Sequence, residues 1–386
     1  MRSPVPERKP RLIAVDGARG LALIGLMIVH VLPPQDYDFE PTVLWRIFAG
    51  HSAALFALLA GVSLAFGSGG RQPVKGTALR AARASVAVRA ACIMTLGLVI
   101  GYADTPVSII LAYYGVMFLL AVPLLGLSAR TLALVAAVMV VAGPIVVQAV
   151  RDLLPNPGFD PTFTSLFTEP VVLVSQLLFT GVYPAVPYLA YICAGMSIGR
   201  LDLGSCRVQL RLVLAGIILT GTTWLLSVLL LGPLGAKNRL GELSPDLDLE
   251  AIDRILVWGP DSRLPTTSLW WQVVLAPHST TVLEKLNTVG TSVAVLGAIL
   301  LLTHVAASEL APLAALGSMT LTLYSAHLLV LATGFLANQP SGSLIIQVAV
   351  AVSFAFQWHR SHENGPLEGL VAKATRRTRR RILNAQ

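Results

Sequence analysis

Three ionisable residues lie in or beside the first long apolar segment and share the spacing of one helical face. Asp16 precedes Arg19 by three residues, and His30 follows Arg19 by eleven. In an α-helix this places the three side chains on one face, with Arg19 and His30 roughly 16 Å apart along the axis. An arginine there can hold an anion or stabilise an oxyanion, and an imidazole can accept a proton or carry a transferred group. The spacing predicts a cavity between Arg19, oriented by Asp16, and His30.

Each of these residues also has a structural explanation. An Asp–Arg pair at a helix start can serve only as a cap and a snorkelling anchor, and a single histidine can be a satisfied packing residue. Ionisable groups inside a membrane span are costly, however, and usually face a cavity or a partner. Because three of them share one face, the cavity interpretation is favoured.

Other polar residues could complete the same cavity. His51 and Ser52 begin the second apolar segment, at a depth comparable to that of the first-helix histidine if the two helices are antiparallel. Tyr324 and His327 are three residues apart on the ninth segment and could form another wall, although a polar seam between helices explains them equally well. His278 lies in a long connection, where it could contact a substrate that enters from that side.

A glycine-rich turn after the second apolar segment leads into basic residues. Residues 67–70 lack the lysine and the preceding strand of a phosphate-binding loop, so a flexible turn is predicted. The following Arg71, Lys75 and Arg80 could nonetheless hold an anion such as a coenzyme A phosphate. No two histidines have the i, i+4 spacing of a helical metal motif, and intramembrane carboxylates are scarce, so no metal site is predicted.

The elements that must position these residues are membrane-spanning helices. The 386-residue chain is 55% hydrophobic and only 12% charged, whereas soluble proteins carry about 25% charged residues. A helix needs about 20 mostly apolar residues to cross the hydrocarbon core. The predicted fold class is therefore all-α, a polytopic integral membrane helical bundle of about ten transmembrane helices at 20–32, 44–67, 85–103, 107–127, 131–150, 184–200, 211–232, 288–306, 312–336 and 342–357.

The distribution of charge predicts the orientation of the bundle. Basic residues recur at alternate connections and at both ends, which by the positive-inside rule places both termini in the cytoplasm. The net charge of +8 then reflects orientation and contact with anionic lipid headgroups, so nucleic-acid binding is disfavoured. The predicted cytoplasmic set includes Arg2, Arg8, Lys9, Arg11, Arg71, Lys75, Arg80, Arg83, Arg89, Arg130, Arg200, Arg207 and Arg211, and the outer acidic set includes Asp36, Asp38, Glu40, Asp152, Asp160, Glu169, Asp246, Asp248, Glu250 and Asp261.

The chain is predicted to form one membrane domain over residues 1–358, followed by a basic cytoplasmic tail over residues 359–386 that ends without regular structure. The connection 233–285 is long for one without a role, and its tryptophans suit a membrane interface, so we expect it to cap the outer mouth of the bundle. No internal repeat is evident, which weakens an interpretation as a transporter built from inverted halves.

The first-helix pattern of Asp16, Arg19 and His30 resembles that of the transmembrane acyltransferase superfamily, which includes sugar O-acyltransferases and heparan-alpha-glucosaminide N-acetyltransferase-like proteins. The resemblance to bacterial members extends over most of the chain, through residues 56–63, 180–184, 194–201, 317–322, Trp358 and 365–368. In heparan-type members an asparagine stands at the position of His30, and their proposed catalytic histidine lies in the following loop. Residues 33–40 contain no histidine here, so the arginine-to-histidine spacing of the O-acyltransferases fits better.

The resemblance implies a membrane-embedded acyltransferase of a bacterial inner membrane. Acetyl-CoA or another acyl-CoA would be the cytoplasmic donor substrate, with no tightly bound cofactor, and an extracytoplasmic sugar or glycolipid would be the acceptor. Arg19, Arg71, Lys75 and Arg80 would hold the donor, and His30 would be the base. Two other classes stay open, a transporter or flippase of an envelope precursor and a non-catalytic membrane partner of an envelope complex.

Overall fold

A computed structural model describes residues 10–260 and 263–384, and these form an α-helical bundle without a β-strand. Arg2, Arg8, Lys9 and Asp261, which enter the charge pattern, lie outside the described residues. The α-helices are α1 (Pro10–Val31), α2 (Val43–Phe48), α3 (His51–Gly67), α4 (Gly76–Ile100), α5 (Leu111–Ala121), α6 (Ala129–Val150), α7 (Phe163–Thr168), α8 (Pro170–Ser175), α9 (Ala185–Gly199), α10 (Cys206–Leu231), α11 (Ala236–Leu243), α12 (Leu249–Trp258), α13 (Val282–Leu302), α14 (Ala311–Gly317), α15 (Thr320–Ala332), α16 (Pro340–His359) and α17 (Pro366–Asn384).

The prediction of an all-α membrane bundle is confirmed, and every predicted apolar segment overlaps a helix. Among the described residues, seven helices are long and apolar enough to cross a membrane. The number rises to nine if two bent pairs, α8 with α9 and α14 with α15, each form one span. The fourth predicted segment forms a shorter apolar helix, Leu111–Gly126. The count of about ten and the cytoplasmic termini stay predictions.

Helix α1, which carries the candidate residues, touches α14 backbone to backbone. A Cβ atom on Gly20 would lie 2.0 Å from the carbonyl oxygen of Leu313, and one on Gly317 would lie 1.6 Å from that of Asp16. Both distances are far below van der Waals contact, so only glycine fits at either position. Small residues at helix contacts are a general feature of membrane bundles. The contact places the start of α15 beside the N-terminal half of α1.

Helices α3 and α9 cross in the same manner. A Cβ atom on Gly61 would lie 2.1 Å from the carbonyl oxygen of Ile192, and one on Gly195 would lie 1.8 Å from that of Leu58. The two glycines therefore face each other's helix reciprocally. This crossing lies in the main buried cluster, in which Leu58, Leu59 and Ile192 are fully buried.

The glycine-rich turn at residues 67–70 is ordered around the buried guanidinium of Arg200. That guanidinium donates to the carbonyl oxygens of Ala65 at 3.0 Å, Gly70 at 2.8 Å and Leu125 at 2.6 Å, and to the Ser68 hydroxyl at 2.9 Å. The turn thus presents carbonyl groups to an arginine. These contacts join the end of α3 to α9 and to the segment after α5.

The expectation that the basic tail ends without regular structure is wrong. Residues Pro366–Asn384 form α17, which packs against α4 and α15. The helix break between α14 and α15 leaves backbone N–H groups without helical partners, and such groups need acceptors. The carboxylate of Glu368 accepts from the N–H groups of Leu321 at 2.7 Å and Thr322 at 3.1 Å, and from the Thr322 hydroxyl at 2.6 Å. One acidic residue therefore fastens α17 to the start of α15.

The long connection between α10 and α13 is folded around its own apolar cluster. Leu240, Ile252, Leu264 and Trp271 are buried there. The Ser227 hydroxyl at the end of α10 donates to the carbonyl oxygen of Val273 at 2.6 Å, which ties the connection to the bundle. This connection therefore forms a cap over one end of the helices, the predicted outer end.

Candidate functional site

The Asp16–Arg19 pair forms as the spacing predicts. Nη1 of Arg19 lies 2.9 Å from Oδ1 of Asp16, and the side chains are 21% and 15% exposed. Arg19 also donates to the hydroxyl of Ser63 on α3. The Ser63 hydroxyl in turn donates to the carbonyl oxygen of Leu59 at 2.7 Å, so the serine accepts from the arginine without competition for its proton. Two helices therefore hold the Arg19 guanidinium in one orientation.

Arg19 faces a cavity of about 350 Å³ between α1, α3, α4, α5, α15 and α17. Part of its wall is apolar, formed by residues that include Leu26, Phe56, Ile93 and Phe118. Leu26 stands one helical turn before His30, and Tyr324 lines the cavity with its ring centroid 6.3 Å from that of His30. The cavity thus extends from Arg19 toward His30. Its polar lining includes Arg19, Arg89, Tyr114, Ser318, Thr320, Tyr324, Asn364 and Glu368.

A second arginine in this cavity was missed as a site residue by the sequence analysis. Arg89 on α4 lines the cavity, and its guanidinium carbon lies 5.2 Å from the ring centroid of Phe118. Within residues 10–260 and 263–384 no protein group forms a hydrogen bond or an ion pair with it, and its charged neighbours are Arg19 and Glu368. The signal that could have found it is its place inside the predicted span 85–103, since charges in a span usually mark a functional site.

A pair of histidines lies next to the cavity, beyond Tyr324. Nδ1 of His30 lies 3.2 Å from Nε2 of His327, with the two rings nearly parallel at 9°. His327 is buried, and its Nδ1 lies 2.7 Å from Oε1 of Gln347 on α16. Nε2 of Gln347 donates to the hydroxyl of Ser343 at 3.0 Å. The structure therefore brings together His30, His327 and Tyr324, and adds Gln347 and Ser343, two neutral residues that the sequence analysis did not single out.

His51 and Ser52 stand apart from this pair. His51 lines a second cavity of about 170 Å³ beneath the cap, together with Trp45, Pro277 and Glu284. Ser52 is buried against α1, where a Cβ atom on Gly25 would lie 2.3 Å from its hydroxyl oxygen. Among the described residues, Nδ1 of His51 and the Ser52 hydroxyl are both buried without a hydrogen-bond partner.

His278 lies in the cap above the bundle, in a left-handed backbone conformation with φ of +58°. Its ring meets that of Tyr183 edge-on at 5.4 Å between centroids, and it lies near His30. Burial, with a smaller contribution from the positive charge of Lys285, lowers the pKa of His278 to about 4. His278 is therefore a neutral imidazole at pH 7, facing the end of α1 that carries His30.

Glu284, which lines the second cavity, belongs to a buried ion pair that the sequence pattern does not predict. Nζ of Lys285 lies 2.9 Å from Oε2 of Glu284, with side-chain exposures of 1% and 4%. The ammonium group stands over the rings of Tyr188 at 4.5 Å and Tyr191 at 5.4 Å. Adjacent opposite charges at the first turn of an apolar helix were the available signal. The pair gives this end of the bundle a polar, aromatic interior.

Of the four basic residues predicted to hold the donor, Arg19 lines the large cavity, whereas Arg71, Lys75 and Arg80 lie outside it. Arg71 forms an exposed ion pair with Asp202 at 3.1 Å, and Arg80 donates to the Thr77 hydroxyl at 3.1 Å. Lys75 is exposed at the N-terminal end of α4. The cationic groups of the cavity are Arg19 and Arg89 instead. No group of three or more His, Cys, Asp or Glu side chains suited to a metal occurs among the described residues.

A family model described as heparan-alpha-glucosaminide N-acetyltransferase, catalytic, matches residues 11–226. The matched range covers more than half of the chain and includes Asp16, Arg19, His30 and Arg89. It ends within α10, so His327, Gln347 and α17 lie beyond it. No curated protein sequence matches the chain.

Proposed function

Because this chain belongs to the heparan-alpha-glucosaminide N-acetyltransferase catalytic family, we propose that it transfers an acetyl group, from acetyl-CoA or a related acyl-CoA, to a sugar or glycolipid across a bacterial inner membrane. The observation that carries the proposal is a single cavity that runs from two arginines toward a histidine pair, of which His327 is buried and His30 partly buried. The family supports membrane acetyltransfer. The donor, the acceptor and the direction of transfer belong to the proposal.

The donor binds with its anionic part at Arg19 and Arg89. Arg19 is already neutralised by Asp16, whereas Arg89 has no hydrogen-bonded carboxylate among the described residues and can accept a phosphate as its partner. A guanidinium suits this role because its fixed N–H donors match phosphate oxygens. The thioester must then reach His30, roughly 16 Å farther along α1. A donor with a long flexible arm between its phosphates and its thioester, as in coenzyme A, meets this requirement.

The reaction proceeds at the histidine pair. The hydroxyl or amine of the acceptor attacks the thioester carbonyl carbon while His30 takes its proton, the carbon–sulfur bond breaks, and the proton passes to the departing thiolate. A positioned base of this kind contributes about 10²- to 10⁴-fold to a rate. The acceptor approaches from the cap, where His51, Ser52, His278 and the rings of Tyr183 and Tyr188 offer polar and aromatic groups to a sugar.

The experiment uses the full chain, purified in detergent, with radiolabelled acetyl-CoA as donor and with glucosamine and octyl glucoside as amine and hydroxyl acceptors. Wild type is expected to release coenzyme A thiol and to label an acceptor, and His30→Ala to lose at least 100-fold in kcat with little change in donor affinity. His362→Ala, which alters an exposed histidine outside the cavity, is the matched control. Undiminished transfer by His30→Ala would overturn the proposal, as would movement of an unmodified sugar across vesicles without loss of donor.

A further inference from the structure

We propose that Gln347 and Ser343 on α16 fix the tautomer of His30 through His327, so that Nε2 of His30 is the free basic nitrogen. This inference rests on the proposed role of His30 as the base and assigns a positioning role to residues that touch neither donor nor acceptor. Both residues are buried, with Ser343 3% and Gln347 8% exposed, and they are four positions apart on one face of α16.

The series of hydrogen bonds begins at a backbone carbonyl group, which can act only as an acceptor. The carbonyl oxygen of Phe335 can only accept, and the Ser343 hydroxyl lies 3.1 Å from it. Ser343 therefore donates its one proton to Phe335. Its oxygen can then only accept from Gln347, at 3.0 Å, so the NH₂ group of the amide faces Ser343. The amide oxygen is left to face His327.

The same reasoning continues through the two imidazoles. Oε1 of Gln347 accepts from Nδ1 of His327 at 2.7 Å, so Nδ1 carries the proton of the neutral ring. Nε2 of His327 is then an acceptor, and it lies 3.2 Å from Nδ1 of His30. His30 must donate from Nδ1. In a neutral imidazole the other nitrogen, Nε2, is then unprotonated and available to take a proton from an acceptor.

This arrangement differs from an ordinary polar seam between helices. A seam is stabilised by any consistent set of donors and acceptors, so either tautomer of His30 would serve. Here the carbonyl oxygen of Phe335 fixes the donor and the acceptor of every hydrogen bond in the series. The result is His30 protonated at Nδ1, the tautomer that leaves Nε2 free to act as a general base. Orientation of a catalytic imidazole by the partner of its other nitrogen is the same device by which a carboxylate orients the histidine of a catalytic triad.

The substitution Gln347→Glu tests the direction of the hydrogen bonds because it keeps the size and shape of the side chain and replaces the NH₂ donor with an oxygen acceptor. A carboxylate has no N–H to give Ser343, and it favours a second proton on His327. Nε2 of His327 would then donate to Nδ1 of His30, and the proton of His30 would move to Nε2, which blocks the base. We expect a loss of about 100-fold in kcat at pH 7, in the range that a general base contributes, with the Kd for acetyl-CoA changed less than twofold.

The pH profile separates positioning from packing. In Gln347→Glu the activity is expected to recover as pH rises and the second proton leaves His327, so the acid limb of the kcat profile moves to higher pH than in wild type. The titratable groups that face the pair are Tyr324 on α15 and His278 in the cap. The His278→Gln background therefore serves to show that the shift does not arise from that residue. Gln357→Glu places the same change on an exposed position of α16 and is the matched control.

A second measurement stays informative if the glutamate variant fails to fold. Protein labelled with ¹⁵N-histidine is compared with its His30→Ala form by magic-angle-spinning NMR, which identifies the His30 signals by subtraction and reports which nitrogen carries hydrogen. Wild type is expected to show His30 protonated at Nδ1, and Ser343→Ala is expected to add the Nε2–H form and to lower kcat about fivefold.

The outcomes distinguish this inference from the proposed function. His30 protonated at Nε2 in wild type, or an unchanged kcat and pH profile in Gln347→Glu while His30→Ala is inactive, would overturn the positioning role alone. Full activity in His30→Ala would overturn the function, and the NMR result would then decide only whether the hydrogen bonds run in the assigned direction.

Discussion

Replacing Arg89 by methionine should weaken donor binding and leave the fold intact. The substitution keeps an unbranched side chain against Phe118 and removes the charge. A hydrogen bond to a charged group contributes about 1.5–3 kcal/mol, and each 1.4 kcal/mol is a factor of ten in affinity. The Kd for acetyl-CoA should therefore rise about 10- to 150-fold. Since Arg89 has no ion-pair partner among the described residues, its removal also relieves a desolvation cost, so the unliganded protein should be at least as stable as wild type.

The assay is calorimetric titration of purified protein with two donors, acetyl-CoA and S-acetyl-pantetheine, which lacks the phosphates. If Arg89 holds a phosphate, Arg89→Met loses affinity for acetyl-CoA and keeps its affinity for the truncated donor. Arg83→Met is the matched control on the same helix, because Arg83 donates to the carbonyl oxygen of Pro123 at 3.0 Å and does not line the cavity. Equal affinity of wild type and Arg89→Met for acetyl-CoA would refute the assignment, and an equal loss for both donors would move Arg89 from the phosphates to the acyl arm.

Two other predictions concern α17 and the cap. Glu368→Gln removes the charge that caps α15, and loss of a helix cap costs about 1 kcal/mol. We expect a lower melting temperature and faster tryptic cleavage within α17, whereas Glu242→Gln, at an exposed position of α11, should change neither. The folded-state pKa of His278 is about 4 against an ordinary value of 6.5, so its contribution to stability is complete above about pH 6.5 and is lost as pH falls toward 4. In His278→Phe the melting temperature should fall less over that interval, and an equally steep fall would contradict the assignment.

The sequence predicts the fold because each span is a long apolar segment. It predicts the pairing of Asp16 with Arg19 because both residues lie within one helix. The spacing of Tyr324 and His327 predicts a possible cavity wall, but their contact with His30 depends on the break between α14 and α15, which a hydropathy pattern does not reveal. Gln347 and Ser343 gave no signal, since one neutral polar residue in an apolar helix costs little and is common. The charge pattern places Arg89 among the predicted cytoplasmic residues because it lies near the end of its span.

The tail illustrates a different limit. A run of arginines suggests a solvated segment, so α17 was expected to lack structure. Contacts with residues distant in sequence order α17. The carboxylate of Glu368 binds the start of α15, and Val371, Ala372 and Thr375 form part of the cavity wall. The composition of the tail gives no information about the backbone N–H groups at the start of α15 that need an acceptor.

The glycine crossings have a consequence for how substrates could be exchanged. Where two backbones touch with no side chain between them, as at Gly20 with Leu313 and Gly61 with Ile192, neither helix can slide or rotate without a collision. Helix α1, which carries both Arg19 and His30, is therefore held fixed against α14, and α3 is held fixed against α9. Any opening of the cavity to admit a donor is expected to involve α17, which lines the cavity and is fastened to the start of α15 by the carboxylate of Glu368. Arg19 and His30 would then keep their positions while α17 moves.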